Sequence, residues 1–307
     1  MLRFAMALAL TLAACSRSAA TDGAVDALVP DEKAALAAVF AESGLDPARV
    51  AIEHDLFAVP WRGAEDYAYR SGHADRIEEI RRQKDDIRDV VAIEDGHVVA
   101  LRLGHTKLTS LATIAKLTHL VLLDIHDSPL ADPTGAAALP SLDHLSLAGD
   151  ALTSTAGLAG VSSLHTLYLT DNRIEHLDGL AAMANLDVLN AAGNRIAKIE
   201  GLDRFPKLRV LSLASNPITR IEGFETSAYL LELNLSYCQI TKIENLGGAE
   251  HLRSLQLWRN QISDLSPILA MAPLVHLGIG ENPIDWNAPG FLELQRKVRV
   301  DLLATGL

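Results

Sequence analysis

The sequence predicts an α/β repeat solenoid: a horseshoe or arc with a parallel β-sheet on its concave face, 3₁₀ turns and loops on its convex side, and a cap at each end. Three observations predict it. The chain aligns with itself in steps of 22 residues, and a fixed period of that size marks stacked supersecondary units. Inside each step the apolar residues first alternate and then fall three apart, the spacing of a short strand followed by tight helical turns. The composition is 49% hydrophobic but only 5% aromatic, which suits many thin, similar layers better than one core built around large rings.

The segment MLRFAMALALTLAAC, residues 1–15, stands apart from the rest. Arg3 precedes an apolar run that falls short of the ~20 residues of a spanning helix. The run ends on small residues, as an export signal does. Leu12-Ala13-Ala14-Cys15 matches the bacterial lipobox, so the segment resembles a lipoprotein signal peptide. That resemblance implies that Cys15 is acylated and becomes the mature N-terminus. Ser16 after it points to the outer membrane in enteric-type bacteria. Several acyl chains on one residue anchor a protein stably, where a single chain is marginal. Processing removes Arg3 and no acid, which takes the formal charge from −12 to −13 and leaves Cys238 as the sole thiol. A lone cysteine makes no intramolecular disulfide, so packing has to hold the fold. So acidic a chain, with no basic stripe interleaved with aromatics, is not expected to bind nucleic acid.

Residues 16–30, rich in Ala, Ser and Asp, read as a flexible tether, and residues 31–97 as a mixed α/β cap. A helix is expected over 31–44, opening on an acidic N-cap and ending at Gly44. A second is expected over 74–88, where opposite charges recur at i, i+4. Between them, residues 45–73 carry Pro60, Trp61 and two tyrosines and give no clear pattern. Val91 and Ile93 before Glu94-Asp95-Gly96 read as the first arm of a hairpin whose second arm is the first repeat's own strand. A cap is needed here because the end of a stack exposes core and an unpaired strand edge.

The repeats occupy residues 98–295. Leu164-x-x-Leu167-x-Leu169-x-x-Asn172-x-Ile174 recurs as Leu186, Leu189, Ala191, Asn194, Ile196 and again as Leu208, Leu211, Leu213, Asn216, Ile218. Nine copies start at Val98, Leu120, Leu142, Leu164, Leu186, Leu208, Leu230, Leu252 and Leu274, without insertion or deletion. This pattern resembles the leucine-rich repeat, in the 22-residue class found in internalins. The resemblance implies the solenoid fold and protein ligands. The alternating leucines are the buried side of a strand. The asparagine sits where the chain turns away, and its amide can serve backbone groups otherwise buried without partners. Gly157, Gly179, Gly201 and Gly223 permit a tight bend on the far side. In the asparagine column Thr106, Ser128, Asp150 and Cys238 are substitutes. The first three repeats therefore lack the amide and are expected to be the less firmly held end. Cys238 reads as a buried stand-in for Asn rather than a reactive thiol. Residues 296–307 read as a C-terminal cap, with a final strand over Val298 to Leu302.

Candidate site residues follow from the columns, because neighbouring copies lie ~4.8 Å apart in a parallel sheet. Trp258 follows the last strand leucine of its copy and is expected to be exposed on the concave face. One position on, Tyr237, Arg259 and Glu281 fall in successive copies, so Arg259 is expected to meet a ring on one side and a carboxylate on the other. Small residues pave the middle of this face. Trp, Tyr and Arg anchor interfaces most often, so Trp258, Arg259, Tyr237 and Glu281, with Tyr168 and Glu232, are the expected partner-binding residues. A second cluster, Arg102, Asp124, His126, Asp127 and His144, comes from three strands without a recognised ligand spacing. The Arg102–Asp124 pair reads as a cross-strand ion pair worth little, and no catalytic or metal role is assigned to the cluster. His165 and His176 read as solvated.

The chain contains no P-loop, GxSxG, HExxH or paired CxxC. The expected function is that of a lipid-anchored protein of the bacterial envelope which binds a protein partner through its concave face. No cofactor is expected. A structural spacer without a ligand is the alternative, and an enzyme or metal site at the His–Asp cluster a lesser one.

Overall fold

The computed structural model describes residues 25–53, 89–269, 271, 274–285, 293–294, 296 and 298–301. Cys15, the greater part of the tether, residues 54–73 and the helix expected over 74–88 lie outside the described residues. The chain forms two compact units, Met1–Ala151 and Leu152–Leu307.

In the first unit, helix α1 (Pro30–Ser43) starts with proline at the first helical position and ends at Gly44 in the left-handed conformation. Its N-cap is Val29, not an acid; Asp31 and Glu32 lie in the first turn. The helix buries Leu36, Val39 and Phe40 and packs on the turn Ile114–Lys116. The last residues assigned to the tether are also ordered by packing. Val25 and Leu28 are buried, and the Val29 N–H donates to the Gly96 carbonyl at 3.0 Å. Two apolar side chains in an otherwise small and polar stretch are enough to dock it.

Strand β1 (Ala51–Glu53) pairs parallel with β2 (Val90–Glu94), an edge strand that the unpatterned span did not reveal. Strand β2 turns back antiparallel onto β3 (His97–Gly104). Asp95 and Gly96 carry φ of 50° and 81°, the two left-handed residues that a tight hairpin between right-twisted strands requires. Strands β4 (Leu122–His126) and β5 (His144–Ala148) continue parallel from β3, in register at the repeat length, Leu101 facing Leu123 and Leu123 facing Leu145.

The second unit carries β6 (Thr166–Tyr168), β7 (Val188–Asn190), β8 (Val210–Ser212), β9 (Glu232–Asn234), β10 (Ser254–Gln256), β11 (His276–Gly278) and β12 (Arg299–Asp301). All are parallel to their neighbours. The last pairing, His276 with Arg299, is one residue longer than the repeat. Leu189, Leu211, Leu233 and Leu255 form one buried shelf, none more than 1% exposed. On the far side, 3₁₀ turns at Asp178–Leu180 and Leu202–Arg204 reverse the chain, and a single helical turn α2 (Ser266–Leu269) does so in a later copy. Gly179 is needed for close stacking, since a Cβ there would strike the Thr155 carbonyl.

The asparagine column works as the sequence suggests. Asn194 donates through Nδ2 to the carbonyls of Leu169, Ala191 and Ala192 (2.8, 3.0 and 3.2 Å) and accepts the Ile174 N–H through Oδ1 at 3.0 Å. Asn216, Asn260 and Asn282 repeat this arrangement. Cys238 keeps the place with two weak thiol contacts, to the Leu213 and Ser236 carbonyls at 3.6 Å each. Burial pushes this thiol's pKa up, against backbone N–H groups that pull it down, which disfavours the nucleophilic thiolate.

In the first unit the substitutes link to one another. Thr106 donates N–H and Oγ1–H to Ser128 Oγ, at 3.0 and 2.8 Å, and Ser128 N–H donates to Asp150 Oδ1 at 2.8 Å. These turns are tied by hydroxyls and a carboxyl, with fewer bonds per rung than the four that Asn194 makes.

Candidate functional site

The residue that follows Trp258 in its copy occupies a column with one backbone state. His105, Asp127, Gly149, Asp171, Gly193, Ser215, Tyr237, Arg259 and Glu281 all have φ between 50° and 71°. The left-handed kink turns the chain out of the strand and aims the N–H sideways. Asp171, Ser215, Tyr237 and Arg259 donate to the carbonyls of Ala192, Ser236, Trp258 and Gly280, each in the next copy. Gly, Asp and Ser suit this conformation; tyrosine, arginine and glutamate bear a steric cost of about 1–2 kcal/mol.

Those costly residues are consecutive and interact. The Arg259 guanidinium lies 5.3 Å from the Tyr237 ring centroid, and its Nε lies 2.5 Å from Glu281 Oε2. All three are solvent-facing, Tyr237 44% exposed and the Arg259 and Glu281 side chains 56% and 50%.

Trp258 corrects the sequence reading, for it is only 5% exposed. Its indole folds along its own strand, Nε1 donating to Gln256 Oε1 at 3.0 Å, and covers Gly278 on β11. A Cβ at Gly278 would collide with both Gln256 Oε1 and Trp258 Nε1. The column position is outward as expected, but a glycine on the next strand lets the ring lie flat. The signal was present in the sequence: Gly278 is the one glycine in the column that runs Tyr168, Asn190, Ser212, Asn234, Gln256.

The other two expected contact residues stand elsewhere. Glu232 is exposed at the start of β9, opposite Val210 and Ser254. Tyr168 is half-buried on β6, three strands from β9, which is ~14 Å away at the usual strand spacing. The structure therefore gathers Tyr237, Arg259 and Glu281 and does not bring Tyr168 to them.

In the first unit, Arg102, Asp124, His126 and His144 do cluster. Arg102 Nε lies 3.3 Å from Asp124 Oδ2, and His126 Nδ1 lies 3.4 Å from Asp124 Oδ1. This is not the surface ion pair expected, since the Arg102 and Asp124 side chains are each 14% exposed and His144 is buried. The His126 imidazole lies over Gly104, where a Cβ would collide with it, and so shields the pair. Burial pushes the Asp124 pKa up, but hydrogen bonding and charge from His126, with Arg102 and His144, outweigh it and hold the carboxyl below its ordinary value. The same hydrogen bond raises His126 against the opposing effect of burial. Asp127 stands on the exposed left-handed corner, near enough for its charge to help raise His126. Beneath them, burial raises Asp150 to about 7, and its Oδ2 has no hydrogen-bond partner.

Among the described residues, one group of histidine and carboxylate side chains brings three ligand atoms within 4.8 Å of one another: Glu32, His97 and His119. Sequence inspection missed it because Glu32 comes from the cap helix; the only trace is that the two histidines lie one repeat apart.

Residues 184–226 and 230–270 match the family model described as Leucine Rich repeats (2 copies). No curated protein sequence matches the chain significantly. Among solved structures, internalin C2 of Listeria monocytogenes is similar at a TM-score of 0.56 and 29% identity, over 60% of this chain and 81% of that one. A leucine-rich repeat protein of Leptospira interrogans is similar at a TM-score of 0.54 and 25% identity, over 69% of this chain and 60% of that one, so this chain spans less than two thirds of it. Another internalin of Listeria monocytogenes, 22% identical with a TM-score of 0.56 over 69% of this chain and 71% of that one, shares the fold. The fold is an α/β leucine-rich repeat solenoid, similar to those of bacterial internalins. Leucine-rich repeat proteins generally mediate protein–protein interaction, as binding scaffolds with extended surfaces rather than as enzymes.

Proposed function

We propose that this chain is a lipid-anchored protein of the bacterial envelope that binds a protein partner through the sheet face of its second unit, with Tyr237, Arg259 and Glu281 at the centre of contact. One observation carries the contact surface. Three bulky residues occupy left-handed positions where glycine, used twice in the same column, would be less strained. Backbone strain retained in consecutive repeats points to a use for the side chains, and here they present an exposed ring, a guanidinium and a carboxylate in one row. Trp258 is their support: its carbonyl accepts the Tyr237 N–H at 2.6 Å. Glu232 belongs to the rim of this surface, and Tyr168 is left out of it.

The anchor rests on Leu12-Ala13-Ala14-Cys15. Among the described residues no helix is long and apolar enough to cross a membrane. Ser16 after the cysteine favours the outer membrane.

Affinity capture from the native envelope tests the contact, comparing wild type with Tyr237→Gly, Arg259→Gly. The double variant is expected to melt at the wild-type temperature or above it and to lose the partner. Unchanged capture by the folded variant sinks this surface. For the anchor, a palmitate analogue should label wild type and not Cys15→Ser; a labelled, membrane-bound serine variant refutes it.

A further inference from the structure

We propose that Glu32, His97 and His119 form a binding site for a divalent transition-metal ion of the zinc class, clamping the cap helix to the cap hairpin and the end of the first repeat. The three side chains come from α1, the first residue of β3 and the loop before β4. His97 and His119 are one repeat apart, so stacking sets their rings side by side, with centroids 3.6 Å apart and planes 29° from parallel. Both Nδ1 atoms point at one oxygen: Glu32 Oε1 lies 3.2 Å from His97 Nδ1 and 2.7 Å from His119 Nδ1.

The carboxylate is built into the fold. Glu32 is 3% exposed, and its other oxygen accepts the Val98 N–H at 2.7 Å. A ligating carboxylate held by a second, outer hydrogen bond is the support that metal sites use to fix ligand geometry. Among the described residues no lysine or arginine pairs with this buried acid, which leaves its charge to the imidazoles or to a cation.

Two imidazole nitrogens and one carboxylate oxygen form a ligand set that suits zinc and its neighbours and is poor for magnesium or calcium. The His119 side chain is 50% exposed and that of His97 29%. His119 thus has room to pivot and widen the angle between the nitrogens toward the roughly 109° of a tetrahedral ion. The fourth position faces solvent. Binding places one cation between Oε1 and the two Nδ1 atoms, each neutral ring then carrying its proton on Nε2. The clamp joins segments 65 and 87 residues apart.

The test uses untagged full-length protein stripped with EDTA. Zinc is titrated against a chromophoric competitor, and cobalt serves as a spectroscopic probe. Wild type is expected to take up one equivalent of zinc, to show the visible bands of low-coordinate cobalt, and to melt at a higher temperature with zinc than without. Both histidines are accessible, so His97→Ala, His119→Ala is expected to fold and to bind zinc more than ~100-fold more weakly. His176→Ala, His251→Ala serves as the control and is expected to bind as wild type does. No uptake by wild type, or equal uptake by the His97→Ala, His119→Ala protein, overturns the proposal.

Discussion

In the second unit Asn172, Asn194, Asn216, Asn260 and Asn282 hold the turns; in the first unit the same column is Thr106, Ser128 and Asp150. The hydrophobic shelf beneath is alike in both, Leu145 being as buried as Leu189. The difference lies in what each rung needs from solution. An amide brings donors and an acceptor at any pH, so the second unit's amide rungs do not titrate, and burial pushes its one thiol rung, Cys238, further above neutrality. Asp150 offers the Ser128 N–H one oxygen and buries the other without a partner. A neutral carboxyl suits that place better than a carboxylate, which is why burial lifts Asp150 to about 7. Swapping an amide for an acid in one column is expected to make one unit's stability depend on pH without changing its fold.

The largest effect expected is one that should not distinguish the units. Leu145→Ala and Leu189→Ala each remove a fully buried side chain and should cost about 2–5 kcal/mol in chemical denaturation. A gap between them well above ~1 kcal/mol would show that the units differ in core packing and not only in the polar column.

Next is Trp258→Ala, which should cost about 3 kcal/mol although the residue lies on the open side of the sheet. The sequence reading implies almost no cost; the indole over Gly278 reverses that expectation. A melt indistinguishable from wild type would return the ring to solvent.

Asp150→Asn tests the comparison directly. The folded-state pKa is raised from 3.8 to about 7, so Asp150's contribution is fully present below pH 3.8. It fades as the pH rises toward 7 and is flat above. The variant should match wild type near pH 4 and gain up to about 4 kcal/mol at pH 8, since each unit of the shift from 3.8 to about 7 is worth about 1.4 kcal/mol. His126 is also raised and contributes stability that is lost above pH 6.5; its charge lowers the Asp150 pKa, so the difference between the two proteins reports Asp150 together with its coupling to His126. A pH-independent difference would refute the neutral acid.

The smallest effect is at Cys238. Replacing two weak thiol contacts with an amide should gain about 1 kcal/mol at any pH from 4 to 8. A loss of several kcal/mol would show that this rung cannot accept an amide.

The period, the inward leucines and the asparagine rungs were legible because each depends on local spacing, repeated often enough to rise above chance. The left-handed column was partly legible: Gly149, Gly193, Asp127, Asp171 and Ser215 suggest it, while Tyr237 and Arg259 disguise it. The Tyr237–Arg259–Glu281 row followed from register alone, because copies of equal length put equal positions side by side.

What the sequence by itself determined is therefore whatever the period dictates: strand, shelf, rung and neighbour in the ladder. Only the tertiary structure decided where a long side chain lies once it leaves its column. Trp258 lies flat because Gly278 is one strand away, and His126 covers its ion pair because Gly104 makes room. Glu32 reaches two histidines from a helix outside the repeat. Such contacts depend on side-chain torsions and on surfaces distant in the chain, and neither leaves a periodic trace.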